Sequence, residues 1–134
     1  MVVANSPILP ENRPPGKSII NGPNMGVPGT EYIFILNAVD PDNDDIRYHI
    51  DWGDGNSEIT EFNPSGADVI VKHTWAKKGS YMIKVKTEDV NGLFGPEAVS
   101  PITIPRNKAL NIPFLQFLQQ HQNLFPILRY ILGL

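Results

Sequence analysis

The stretch 46–55, IRYHIDWGDG, limits what this chain can fold into more than any other. Ile46, Tyr48, Ile50 and Trp52 alternate with Arg47, His49, Asp51 and Gly53. A period of two, with large apolar groups on one side, is the pattern of a strand that buries one face. The strand runs into Gly53-Asp54-Gly55, a tight turn, because two glycines supply backbone angles that other residues avoid. Trp52 closes the apolar face, where its ring would fill the middle of a two-sheet sandwich. Asp51 and Asp54 flank it and can accept hydrogen bonds from turn amides.

The remaining strands fall on either side. Residues 30–39 are rich in β-branched and aromatic side chains. Tyr32, Phe34, Leu36 and Ala38 share one face, and Ile33, Ile35 and Val39 the other, so this strand is expected to be covered on both sides. Ser18-Ile19-Ile20 forms a short first strand, and residues 57–62 begin the return strand of a hairpin. Val69, Val71, His73 and Trp75 alternate with Ile70, Lys72 and Thr74. Tyr81, Ile83, Val85 and Thr87 face inward, while Lys84, Lys86 and Glu88 face water. Residues 97–104 form the last strand, and Pro101 places it at an edge. Thirteen prolines and eleven glycines supply the turns between them. About seven short strands at this spacing predict an all-β, Ig-like antiparallel sandwich of two sheets. Tyr81, opening a late strand, resembles the corner tyrosine of such folds, whose hydroxyl bonds back to nearby backbone.

Two groups invite a chemical reading. The loop Asp40-Pro41-Asp42-Asn43-Asp44-Asp45 places four carboxylates in six residues. Hard oxygen ligands at Asp40, Asp42 and Asp44, with Asp45 beside them, can close on a calcium ion. The competing expectation is an Asx turn between two strands. An EF-hand is excluded, since Asp45 and Asp51 stand where that loop needs Gly and Glu. His73 lies alone on an apolar face, as expected of a core histidine bonded to a loop carbonyl or carboxylate. The three histidines lack zinc-ligand spacing, and Asp51 and Asp54 are the one tempting carboxylate pair. Both already have reasons to sit beside a turn, so the chain is expected to be no enzyme and to require no cofactor.

Four blocks now stand in order: Asp40-Pro41-Asp42, then Trp52-Gly53-Asp54-Gly55, then His73-Thr74-Trp75, then Gly79-Ser80-Tyr81. Together they resemble the PKD (polycystic-kidney-disease) domain, over about residues 12–105. Asn43 departs from that pattern where Gly is usual, and Trp75 where Tyr is commoner. The resemblance implies an extracellular or cell-surface module, a spacer or adhesion unit for protein–protein or protein–carbohydrate contact. It also implies calcium near the acidic loop, as in some PKD-like domains of bacterial collagenases.

The ends differ in kind from the middle. Residues 1–16 form an extended leader, with Asn12-Arg13-Pro14-Pro15-Gly16 as a linker from an upstream domain. They lack the basic start of a signal peptide. Residues 17–105 make the sandwich, and residues 106–134 an amphipathic tail. Beyond residue 105 the charges are Arg106, Lys108 and Arg129 with no acid, +3, whereas the rest sums to −6. Phe114, Phe117, Leu118, His121, Leu124, Phe125, Leu128, Ile131 and Leu132 recur at helical spacing. Pro126 splits the segment into two short helices, 113–122 and 124–132. A membrane span is excluded by length and by Arg129. This tail resembles one that follows PKD-like domains in some archaeal surface proteins.

A net charge of −3 argues against nucleic acid. The expected partners are other domains of the parent chain or neighbouring copies, including a homo-oligomer, and surface carbohydrate. Two rival functions are a filament or assembly subunit, through the tail, residues 7–9 or a sheet edge, and the carbohydrate-binding module of a secreted hydrolase. The last would need Tyr48, Trp52 and Trp75 exposed in a row.

Overall fold

The computed structural model describes residues 11–105. Seven strands follow in order: β1 (Ile19–Asn21), β2 (Glu31–Asn37), β3 (Ile46–Asp51), β4 (Ser57–Ile59), β5 (Val69–Thr74), β6 (Gly79–Asp89) and β7 (Ala98–Ile104). They pair into a three-stranded sheet, β1-β2-β5, and a four-stranded sheet, β4-β3-β6-β7. Every named pairing is antiparallel. Period-2 alternation puts one face of each sheet into a shared core. That core takes Phe34 and Leu36 from β2, Val71 from β5, Ile46, Tyr48 and Ile50 from β3, Ile83 and Val85 from β6, and Ile102 and Ile104 from β7.

Trp52 and Trp75 lie between the sheets, and both are fully buried. Phe34 meets the two indoles at 5.6 and 6.0 Å between ring centroids, in tilted and edge-on contacts that aromatic quadrupoles favour. The Trp75 Nε1–H donates to the Trp52 carbonyl at 3.2 Å, so this buried donor is satisfied. The Tyr81 hydroxyl donates to the Lys77 carbonyl at 2.7 Å, which is the corner contact expected of it. Pro101 lies on β7, the last strand of its sheet, as an edge position requires.

The second face of β2 has no cover among the described residues: Ile33 and Val39 are 53% and 61% exposed. Apolar residues on both sides of a strand give a continuous run, and such a run cannot by itself say what lies over each side. The return strand β4 ends at Ile59, short of residue 62, and beyond it contact with β3 continues through the Thr60 amide to the Tyr48 carbonyl and the isolated bridge between Ile46 and Asn63. The tail residues Phe114, Phe117, Leu118, Leu124, Phe125, Leu128, Ile131 and Leu132, and residues 7–9, lie outside the described residues.

Candidate functional site

The acidic loop leaves the end of β2 and folds around Asp40. Asp40 is buried, and its Oδ1 accepts from the amides of Asp42 (2.8 Å) and Asp44 (3.3 Å). Its own amide donates to the Ser65 hydroxyl at 2.7 Å. The loop turns through Asn43, which has φ +60° and donates its amide to the Asp40 carbonyl. Asparagine tolerates this left-handed conformation better than most residues, and glycine better still. The departure from the family pattern at Asn43 is therefore one the backbone accepts.

Asp40, Asp42 and Asp44 each bring one carboxylate oxygen within 4.8 Å of the others. Asp45 is exposed and lies outside this group. The Oδ2 of Asp40 is buried with no hydrogen-bond partner. Burial, then the neighbouring charges of Asp40, Asp42, Asp89 and Asp45, raise the Asp44 carboxyl above its ordinary range. Asp42 moves the other way. Hydrogen bonds from the Arg13 amide and then its guanidinium hold this carboxyl low.

Arg13 belongs to the incoming segment, which lies across this end of the sandwich. Its amide donates to Asp42 Oδ2 at 2.6 Å, its Nε and Nη2 to Oδ1 at 3.0 and 2.8 Å, and Nη2 also to the Pro41 carbonyl. Asn12 donates to Asp89 Oδ2 at 2.6 Å and accepts from Asn91 at 2.9 Å. Asn91 donates also to Asp44 at 3.2 Å. Asp89 Oδ1 in turn accepts from the amides of Asn91 and Leu93, which shapes the turn after β6. Pro15 is buried, and the Gly16 amide donates to the Val39 carbonyl. Asn12, Arg13, Asp89 and Asn91 were not marked by the sequence. Asp89-Val90-Asn91-Gly92 announces only a turn, and its partner Asn12 lies 77 residues away.

The residues of the WGDG block do a different job. Asp51 accepts from the Gly53 amide at 2.8 Å and Asp54 from the Asn56 amide at 3.0 Å, as expected. Asp54 Oδ2 also meets His73 Nε2 at 2.7 Å. His73 stands on β5 in the other sheet, with its ring stacked on Trp52 at 4.6 Å and 3°. This carboxylate is the loop partner expected of His73, and it ties the hairpin of one sheet to a strand of the next. Burial alone would raise the Asp54 carboxyl, but the His73 ring and the Asn56 amide outweigh it and hold it low. Both members of the pair tempting for hydrolysis, Asp51 and Asp54, are thus engaged with turn amides.

Tyr48, Trp52 and Trp75 are all buried, not exposed in a row. On the outer face of the four-stranded sheet, Glu88 joins Arg47 and His49. Arg47 lies over Phe62 at 4.7 Å, and His49 meets Phe94 edge-on at 4.9 Å. Hydrogen bonds from Arg47 and then His49 hold the Glu88 carboxyl low.

A two-sheet Ig-like sandwich with a cross-linked WGDG turn and a strapped acidic end defines the class, a small β module. Comparison with protein families matches the PKD domain over residues 18–94, more than half of the chain. The PKD domain of an M14-like peptidase from a Thermoplasmatales archaeon has 36% sequence identity and a TM-score of 0.69, covering 71% of this chain and 99% of that one. The chain belongs to the PKD domain family. The PKD1 domain of Vibrio anguillarum Epp is 17% identical with a TM-score of 0.48, covering 71% of this chain and 100% of that one. No curated protein matches. PKD domains are generally non-catalytic accessory modules and occur in extracellular or secreted proteins. No helix among the described residues is long and apolar enough to cross a membrane.

Proposed function

We propose that this chain is a non-catalytic, extracellular spacer that holds neighbouring parts of its parent protein at a fixed distance and direction. One observation carries the reading: the sandwich is entered at one end and left at the other. The incoming segment is strapped to the acidic end, where Asp89 closes β6 and pairs with Ile46. The last strand finishes at the far end, where Ile104 pairs with Gly79 at the start of β6. Eleven residues of β6 separate the two ends, roughly 35 Å at the usual rise per residue. Arg13, Asn12 and buried Pro15 fix the direction of the incoming chain, which a flexible linker would leave free. The burial of the large aromatics gives a carbohydrate-binding face no support.

The chain has no cysteine, so spin labels can be placed at Glu11→Cys and Lys78→Cys, both exposed. Dipolar spectroscopy is expected to give one narrow distance population. A broad distribution would show a free incoming segment and overturn the spacer reading.

The acidic end also supports a divalent cation, calcium being the one whose ligand preferences fit. The supporting observation is the buried, unpartnered Oδ2 of Asp40 beside oxygens of Asp42 and Asp44. An unsatisfied buried carboxylate oxygen is costly unless something positive meets it. Bound calcium would offset two of the three like charges in the loop, where Arg13 already pairs with Asp42. Thermal melting with calcium and with chelator tests it. At a hundred times Kd, calcium adds about 2.7 kcal/mol of stability by mass action. An unchanged midpoint at millimolar calcium means that no such site exists.

A further inference from the structure

The outer face of the three-stranded sheet is built of isoleucines. Antiparallel partners project to the same side, so the register places Ile35 beside Ile70 and Asn21, Ile33 beside Lys72, and Ile19 beside Asn37. Ile19, Ile33 and Ile70 are between 53% and 63% exposed, with half-buried Ile35 at their centre. Lys72 and, at the end of β2, Glu31 are the charged residues among the paired positions of this face. The outer face of the other sheet is different. It carries Arg47, Asp51, Lys84, Lys86 and Glu88, whose charges suit it to water. A contiguous apolar face of this kind marks a contact surface.

We infer that this isoleucine face is the docking site of the chain's own C-terminal tail, residues 106–134. Three observations select that occupant. The first is where the tail begins. The Thr103 amide donates to the Asn24 carbonyl and its carbonyl accepts from Gly26, so the last strand ends against the segment that follows β1. β1 is the edge of the isoleucine sheet. The tail thus starts beside that edge. The second is length. Residues 106–112 precede the helical pattern, and seven extended residues reach up to about 23 Å, whereas packed sheets lie about 10 Å apart. The third is chemistry. Of residues 109–134, fifteen are apolar and none is acidic. The apolar positions Phe114, Phe117, Leu118, Leu124, Phe125 and Leu128 recur at helical spacing, a stripe that must be buried to be stable in water. A helix of ten residues is about 15 Å long, enough to cross three strands about 4.8 Å apart. A helical layer laid on an open sheet face is a standard way to close such a surface.

The test uses the full chain, which has no native thiol. Single cysteines are introduced at Ile70→Cys on the isoleucine face and at Val99→Cys on the outer face of the other sheet. Maleimide labelling rates are measured for each, normalised to the rate in denaturant, with the native tail and with Phe117→Asp plus Leu128→Asp. With the native tail, labelling at position 70 is expected to be at least tenfold slower than at position 99. With the two aspartates, it should rise to within about twofold of position 99. Equal rates at both positions with the native tail overturn the proposal. So does protection at position 70 that grows with protein concentration alongside a dimeric solution mass, which assigns the face to a neighbouring copy's tail. Protection that survives the aspartates also overturns it.

Discussion

At the scale of single residues, the pair His73 and Asp54 is the most informative. It joins the two sheets through one hydrogen bond between side chains that are both largely buried. The Asp54 carboxyl is held low, so the folded state prefers its ionised form. The resulting stabilisation is fully present above the unfolded carboxyl value, about 4, and is lost as pH falls through the lower folded value. Asp54→Asn should therefore lower stability at pH 7 by about 1.5–3 kcal/mol, the range for a hydrogen bond to a charged group. The difference from the native chain should begin to shrink below about pH 4, where the unfolded carboxyl takes up a proton, and close as pH falls through the lower folded value. Denaturant midpoints at pH 7 and pH 3 check this. An equal loss at both values would mean that packing against Trp52, rather than charge, holds the turn.

At the scale of elements, what could be read from the sequence was whatever is local. The alternation in 46–52 gives β3 and its buried face, and the paired glycines give its turn. His73 on an apolar face implies a polar partner, though not that Asp54 is the one, because they are nineteen residues apart on different sheets. The strap at the acidic end was not legible at all. Arg13 and Asp42 are separated by 29 residues and Asn12 and Asp89 by 77, and no periodicity links them. The outer face of β2 was ambiguous for a related reason, since isoleucines on both sides of a strand look the same whether covered or open. The strap makes its own prediction through Gly95, where a Cβ would run into the Pro15 carbonyl oxygen and press on that of Gly16. Backbone cannot swing aside as a side chain can. Gly95→Ala should cost about 1–3 kcal/mol, as overpacking typically does, and should lift residues 12–16 from the sandwich. Trypsin checks it, since cleavage after exposed Lys17 should quicken well before the strands unfold.

At the scale of the whole molecule, a spacer entered at one end and left at the other carries load along its strands. Force on the incoming segment draws β1 and residues 24–26 one way, and force beyond Ile104 draws β7 the other. These two pieces run parallel at the isolated bridge between Met25 and Thr103. Only two backbone bonds join them there, Gly26 N to Thr103 O at 3.1 Å and Thr103 N to Asn24 O at 3.0 Å. Both lie across the pulling direction, so they must shear together, whereas bonds at a fraying strand end would open singly. Thr103→Pro deletes one of these donors, and β7 tolerates a proline already at position 101 because it is an edge strand. Losing one such bond should lower equilibrium stability by about 0.5–1.5 kcal/mol. Forced unfolding follows the unfolding rate rather than that equilibrium. Single-molecule pulling through the two ends should therefore show a marked fall in unfolding force, while the thermal midpoint falls by roughly 2–12 °C, at about 4–8 °C per kcal/mol for a domain of this size. A force unchanged by Thr103→Pro would place the resisting contact elsewhere, with the strap of Arg13 and Asn12 next in line because it bears the same load at the opposite end.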